Sequence, residues 1–205
     1  MQSVFGSGKF TDISALGTWD VSNVEVFYTF FSDCENITDL TPIKNWNVSS
    51  ATSFGLMFSN CKSLSDLDPI KNWNFSNVNS LYGMFKNCYS LVDLTPLSRW
   101  NIDNITSINE MFFGCTSLSS LNGIDTWNVS NVANMSKVFC QCTSLSDISS
   151  ISSWNTKLVT NMEQLFFGCP SLLDASPIEG WNVNNVTNMT NMFSNNTTIR
   201  PSWYV

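Results

Sequence analysis

Two residue types in this chain stand at a spacing that could do chemistry. Cysteine recurs at every 27th place, as Cys34, Cys61, Cys88, Cys115, Cys142 and Cys169. Aspartate recurs in the same steps at Asp12, Asp39, Asp66, Asp93, Asp147 and Asp174, with Ser120 in the one missing place. Thiols could hold zinc or form disulfides, and carboxylates could hold cations, basic segments or sugar hydroxyls. Zinc sites want cysteines paired two to four residues apart, and only Cys140 and Cys142 come near that. Cysteines stacked in parallel point the same way rather than at each other, which disfavours disulfides. The thiols therefore read as buried, free, small apolar fillers, with no metal and no cofactor expected. Each aspartate precedes an inward Leu or Ile, or Ala175 in the case of Asp174, and so faces outward. Like charges about 5 Å apart repel by about 1 kcal/mol per neighbour in water. Hydrogen bonds within each coil or a bound partner must offset that.

Little other chemistry is available. The chain has no histidine, which removes the commonest general base and every Ser-His or Cys-His nucleophile. No phosphate-binding loop or nucleotide fingerprint is present. The carboxylates are laddered rather than clustered as a catalytic pair, and no enzyme is expected. The net charge of -7 argues against nucleic acid and anionic membrane surfaces, because both need a basic face. No apolar run is long enough to insert in a membrane. Met1–Phe5 lacks the features of a signal peptide, so the chain is expected to be either intracellular or a piece of a longer secreted protein.

The elements that position these residues form one repeat. Trp19, Trp46, Trp73, Trp100, Trp127, Trp154 and Trp181 follow one another in the same constant step as the cysteines. A fixed period of this length indicates a solenoid. Apolar residues stand nine, six and three places before each Trp, as in Leu91, Leu94 and Leu97 before Trp100. This segment is expected to form a short strand leading into a turn marked by Pro42, Pro69, Pro96 and Pro177, with Gly123 at the equivalent place. A polar corner follows each Trp, and then a Met-Phe step read as a helical turn. The expected fold is an α/β repeat, a right-handed leucine-rich-repeat-type solenoid of about seven coils with short parallel strands. The expected single domain spans residues 1–205. Residues 1–10 are its N-terminal cap or a degenerate coil, and residues 196–205 a capping strand in which Ile199 and Val205 keep the strand phase. The Trp and Cys columns are assigned to the core.

Outward positions divide into constant and variable ones. Asn47, Asn74, Asn101, Asn128, Asn155 and Asn182, with Asp20, form a constant corner column, suited to satisfying turn backbone. Positions that vary between coils can store binding specificity, and the aromatic candidates there are Tyr28, Tyr82, Tyr89, Phe113 and Phe167.

The unit Trp127-Asn128-Val129-Ser130-Asn131-Val132-Ala133-Asn134-Met135, with Met111-Phe112-Phe113-Gly114-Cys115-Thr116-Ser117-Leu118, resembles the BspA-like leucine-rich-repeat surface proteins. The resemblance is to their Trp-containing bacterial lipoprotein subgroup. It implies a cell-surface or secreted protein whose signal or anchor lies outside this chain. It implies adhesion, host or matrix contact without catalysis, with a protein or glycan ligand on a host or neighbouring cell. Two alternatives stand beside it. One is a structural protein stacking end to end into a fibre or array. The other is an ice or crystal-surface binder that uses the regular Asn corner.

Overall fold

The computed structural model describes residues 10–205. Seven stacked coils each begin at a Trp: residues 19–45, 46–72, 73–99, 100–126, 127–153, 154–180 and 181–205. Of the expected N-terminal cap only Phe10 is described, and it is exposed rather than inward. One hydrophobic core runs from Ile13 to Phe193. At its centre Phe31, Phe58, Phe85, Phe112, Phe139, Phe166 and Phe193 stack with ring centroids 5.4–5.9 Å apart and nearly parallel planes. Each such buried side chain contributes on the order of 1.5–3 kcal/mol. Trp46 to Trp181 are buried, but Trp19 is 38% exposed. Its expected place in the core is corrected: it belongs to the first Trp-centred coil of a stack, and a terminal coil has a full neighbour on one side only.

The elements differ from the expected order. Before every Trp except Trp127, the end of the apolar segment forms 3₁₀ helix: Ser14–Thr18, Thr41–Ile43, Asp68–Ile70, Thr95–Arg99, Ser149–Ile151 and Ser176–Ile178; of the expected strand only the bridges Ser120↔Asp147 and Asp174↔Ile199 remain. A 3₁₀ helix has three residues per turn, so three-residue apolar spacing keeps one face inward. Pro42, Pro69, Pro96 and Pro177 stand in the first turn, where the missing N–H costs nothing. Coil 4 (residues 100–126) forms no such helix. There Gly123 has φ 103°, and a Cβ would collide with the backbone of Leu94 and Thr95.

Most of the backbone-to-backbone hydrogen bonding between coils runs through the Met-Phe step, where a helical turn is expected from the sequence. N–H groups of Phe27, Thr29, Phe31 and Asp33 donate to carbonyls of Ser53, Gly55, Met57 and Ser59 in the next coil at 2.8–2.9 Å. The N–H groups of Phe30, Ser32 and Cys34 instead close turns onto carbonyls three residues back. Two residues of each Met-Phe step are left-handed, Thr29 and Asp33 in the first coil and Asn191 and Asn195 in the last. These turns curl the chain, so parallel pairing survives only as isolated bridges such as Ser107↔Asn134 and Asn134↔Asn161. Among the described residues there is neither an α-helix nor an extended strand. The solenoid is built of turns and 3₁₀ helices rather than as α/β.

The last coil slips in register. Ile199 bridges Asp174, a shorter step along the chain than the one that relates the bridged residues of earlier coils. Ile199 is 66% exposed while Thr198 is buried, and Val205 is exposed as well, so neither Ile199 nor Val205 keeps the inward phase. Asn196, in the place of the next Cys, donates to the Phe166 carbonyl at 2.7 Å and accepts from the Cys169 N–H at 2.7 Å.

Candidate binding face

The cysteine column faces the core. Cys61, Cys88, Cys115, Cys142 and Cys169 donate their S–H to the carbonyls of Phe31, Phe58, Phe85, Phe112 and Phe139 at 3.1–3.2 Å. Cys34 and Cys140 are buried too, and none of the seven cysteines is bonded to another in a disulfide. Burial raises their pKa values, to about 11 for Cys34 and Cys140 and about 12 for Cys115 and Cys169. Thiols held neutral in this way are poor nucleophiles and poor metal ligands. Among the described residues no group of three or more His, Cys, Asp or Glu could hold a metal ion.

The aspartate column is occupied by its own backbone. Asp12, Asp39, Asp66, Asp93, Asp147 and Asp174 each accept the N–H two residues on, at 2.7–2.9 Å. In every case that N–H belongs to the first residue of a 3₁₀ helix. Where Ser120 replaces Asp, the helix is absent and Asp125 accepts the Gly123 N–H instead. The column is thus explained as a set of helix-start caps that offset the stacked charge.

The corner column is occupied in the same way. Asp20, Asn47, Asn74, Asn101, Asn128, Asn155 and Asn182 each accept the N–H two residues on. Beside it, Asn77, Asn104, Asn131 and Asn185 donate to carbonyls of the preceding coil at 2.7–2.8 Å. Leu158 interrupts this second column and stands exposed. The indoles tie the coils as well: Trp46, Trp100, Trp127, Trp154 and Trp181 donate to carbonyls of the preceding coil at 3.0–3.1 Å. Buried Trp73 Nε1 has no partner.

The outer side of the Met-Phe step is different, because no residue type dominates it. One column reads Tyr28, Gly55, Tyr82, Asn109, Ser136, Glu163, Thr190. The next reads Thr29, Leu56, Gly83, Glu110, Lys137, Gln164, Asn191, and a third Ser32, Ser59, Lys86, Phe113, Cys140, Phe167, Ser194. The structure therefore gathers Tyr28, Tyr82, Phe113 and Phe167, each half-buried, onto one face. Tyr89 stands beyond the Cys column and is 40% exposed. Side chains lean on the following coil: the Tyr28 ring lies over Gly55, and Leu56 over Gly83. Lys86 pairs with Glu110 at 2.5 Å and stands 4.8 Å from the Phe113 ring centroid. Lys137 pairs with Glu163 at 3.4 Å. The sequence reading missed both pairs, since partners that are not a whole repeat apart fall in different columns when the coils are aligned. Cys140 fills the place between Phe113 and Phe167 yet is buried.

Columns of like side chains on a common turn scaffold define a turn-built repeat solenoid with one variable face. By sequence, the chain belongs to the family described as "Mycoplasma protein of unknown function, DUF285", whose model matches residues 1–122 and 90–203. No curated protein sequence matches it. Among solved structures it is similar to a leucine-rich cell surface protein from Faecalibacterium prausnitzii, at 20% identity and a TM-score of 0.42 over 72% of this chain and 43% of that one. It is also similar to a leucine-rich-repeat protein from Eubacterium ventriosum, at 15% identity and 0.46 over 87% and 58%. A third is internalin C2 from Listeria monocytogenes, at 17% identity and 0.35 over 83% and 78%. The chain thus spans 43% and 58% of the length of the first two. These superpositions are partial, and the architecture rests on the coil geometry given above. No helix among the described residues is long and apolar enough to cross a membrane.

Proposed function

We propose that the chain is a non-enzymatic recognition module of a cell-surface or secreted protein, and that it binds a protein or glycan partner through the variable face. The observation that carries this reading is the division of labour between outward columns. Aspartate and asparagine columns are constant, and backbone groups of the same or a neighbouring coil use their polar atoms. Variation is collected where coils 3 to 6 present Tyr82, Lys86, Glu110, Phe113, Lys137, Glu163 and Phe167. Aromatic rings stand among paired charges there, as Phe113 beside Lys86 and Glu110, a mixture suited to a partner with both apolar and polar groups. Membership of the Trp-containing lipoprotein subgroup and a role in adhesion belong to the same proposal.

A screen of glycans and matrix proteins against the chain, repeated with two variants, tests it. Phe113→Ala/Phe167→Ala should lose at least about tenfold in affinity for any partner found, while Asp93→Ala binds normally. Unchanged binding by the double variant, with loss in Asp93→Ala, would move the site to the aspartate column.

A further inference from the structure

Where coils 1 and 2 meet on their 3₁₀ side, a notch of about 210 Å³ opens between Lys44 and Asn45 of one and Asp68, Pro69, Lys71 and Asn72 of the other. Arg99 of coil 3 reaches back onto it, its Nη1 donating to Asn72 Oδ1 at 3.4 Å. Three cations thus stand on successive rungs. The chain carries nine basic against 16 acidic residues, so this row departs from its overall charge. It is confined to coils 1 to 3, since Asp125 and Glu179 hold the place of Lys44 in later coils.

The cations of the row are not all matched. Asp68 accepts from Lys71 through both carboxylate oxygens, at 2.9 Å each. Lys44 and Arg99 are exposed and, among the described residues, in no ion pair. Asp39, Asp66 and Asp93 cap the starts of the same 3₁₀ helices and do not line the notch. The indole bond that ties adjacent rungs is missing here as well. Trp46 and Trp100 donate to the Leu16 and Ile70 carbonyls, whereas Trp73, next to Asn72, makes no such bond to Ile43, next to Lys44.

We propose that this notch binds carboxylate-bearing sugar units of an acidic polysaccharide that runs along the row from Lys44 to Arg99. Asp68 indicates the chemistry. The equivalent residues of other coils are Ser14, Thr41, Thr95, Asn122, Ser149 and Ser176. Only here does a carboxylate stand in that place, and Lys71 holds it as it would hold a uronate. Cations on successive rungs suit a polymer with repeated anionic groups rather than a single ion. Asn45 and Asn72 offer amide groups to hydroxyls, and the Arg99 guanidinium has the fork that takes a carboxylate through two parallel N–H bonds. Apart from Pro69 the lining is polar, so an apolar peptide side chain gains little there, whereas the Pro ring can cover one C–H face of a sugar. The site lies on another side of the coil from the variable face and does not rest on the reading given for that face.

Titration of the full chain with short hyaluronate chains, which carry a carboxylate on alternate sugars, tests the inference in low-salt buffer. The native chain should bind, and binding should weaken as salt is added. Lys44→Ala/Arg99→Ala, with its thermal transition retained, should bind at least about tenfold more weakly. Asp68→Ser, which restores the residue type of the other helix starts and frees Lys71, should bind at least about threefold more tightly. Phe113→Ala/Phe167→Ala should bind as the native chain does, which separates this result from the fate of the variable face. No binding by the native chain, equal binding by Lys44→Ala/Arg99→Ala, no gain in Asp68→Ser, or loss in Phe113→Ala/Phe167→Ala would each overturn the proposal. Neutral dextran bound as well as hyaluronate would overturn it too. Tighter binding of poly-glutamate or of dextran sulfate would do the same, by assigning the row to peptide carboxylates or to sulfates.

Discussion

Replacing Trp73 by Phe should destabilise the chain less than replacing Trp100 or Trp127 by Phe. All three indoles are buried in equivalent rungs, so the volume removed and the cavity left are nearly the same. They differ in one bond. Trp100 and Trp127 donate to the carbonyls of Ile70 and Leu97 at 3.1 and 3.0 Å, whereas Trp73 Nε1 is buried without a partner. Losing a bond of this kind costs about 0.5–1.5 kcal/mol, and a buried unpaired donor costs about 1–3 kcal/mol. Phe at 73 removes the unpaired donor; Phe at 100 or 127 removes a made bond. The gap should be about 1.5 kcal/mol or more. At about 2–4 °C per kcal/mol for a domain of this size, Trp73→Phe should melt at least about 3 °C above the other two variants. Far-UV circular dichroism through the thermal transition reads this without depending on tryptophan emission. If Trp73→Phe melts at or below the temperature of Trp100→Phe, the indole bonds are not what distinguishes these rungs.

Three further outcomes follow from the columns. Stability should fall as pH rises above about 8.5, the ordinary thiol pKa, because burial lifts Cys34 and Cys140 to about 11, Cys115 and Cys169 to about 12, and Cys61, Cys88 and Cys142 well above the ordinary value. The stabilisation is complete below the unfolded pKa and is lost as pH climbs through the folded values. Urea melts at pH 7 and pH 10 check this, and a native chain should leave its seven cysteines silent to a thiol reagent until it unfolds. At the acid end, the N–H and hydroxyl of Ser14 and of Ser149 hold Asp12 and Asp147 below the usual carboxylate range, and the hydroxyl and N–H of Thr41 do so for Asp39. Their contribution is present above about pH 3.9 and is lost as pH falls through the lowered values; the Asp12→Asn/Asp39→Asn/Asp147→Asn variant should show a flatter acid limb in a pH series of melts. Leu158→Asn should restore the interrupted Asn column and raise stability by about 0.5–1.5 kcal/mol in urea melts.

Much of this was legible in the sequence because a stack repeats its environments. A residue type fixed at every 27th place had to face the same surroundings each time, and the buried Trp, Phe and Cys columns follow from that. The three-residue spacing before each Trp suits neither a long helix nor a regular strand, and reading it as a short strand running into a turn missed that the turn itself is 3₁₀. The aspartates showed their purpose in their followers: Ser14, Thr41, Thr95, Ser149 and Ser176 each come two residues later, the spacing of a side-chain cap. The left-handed positions were hidden. Leu56, Lys137 and Gln164 adopt positive φ against their own preference, because bonds to the neighbouring coil impose it. The variable face was only half visible, since its aromatic members vary by definition and its ion pairs cross columns.

The row of bonds through the Met-Phe steps has a direction. Every backbone N–H in it points toward the C-terminal end and every accepting carbonyl toward the N-terminal end, so the peptide dipoles of successive coils add along the axis as they do in a helix. A second backbone row runs against it: the N–H groups of Thr52, Thr106, Ala133, Thr160 and Thr187 donate back to the carbonyls of Glu25, Asn79, Thr106, Ala133 and Thr160 in the preceding coil. The side-chain ladders of Asn, Trp and Cys donate in the same sense as this second row. Because the two rows face opposite ways on two sides of each coil, a coil fits its neighbour in one orientation only, and the stack keeps a fixed direction without needing a large net dipole.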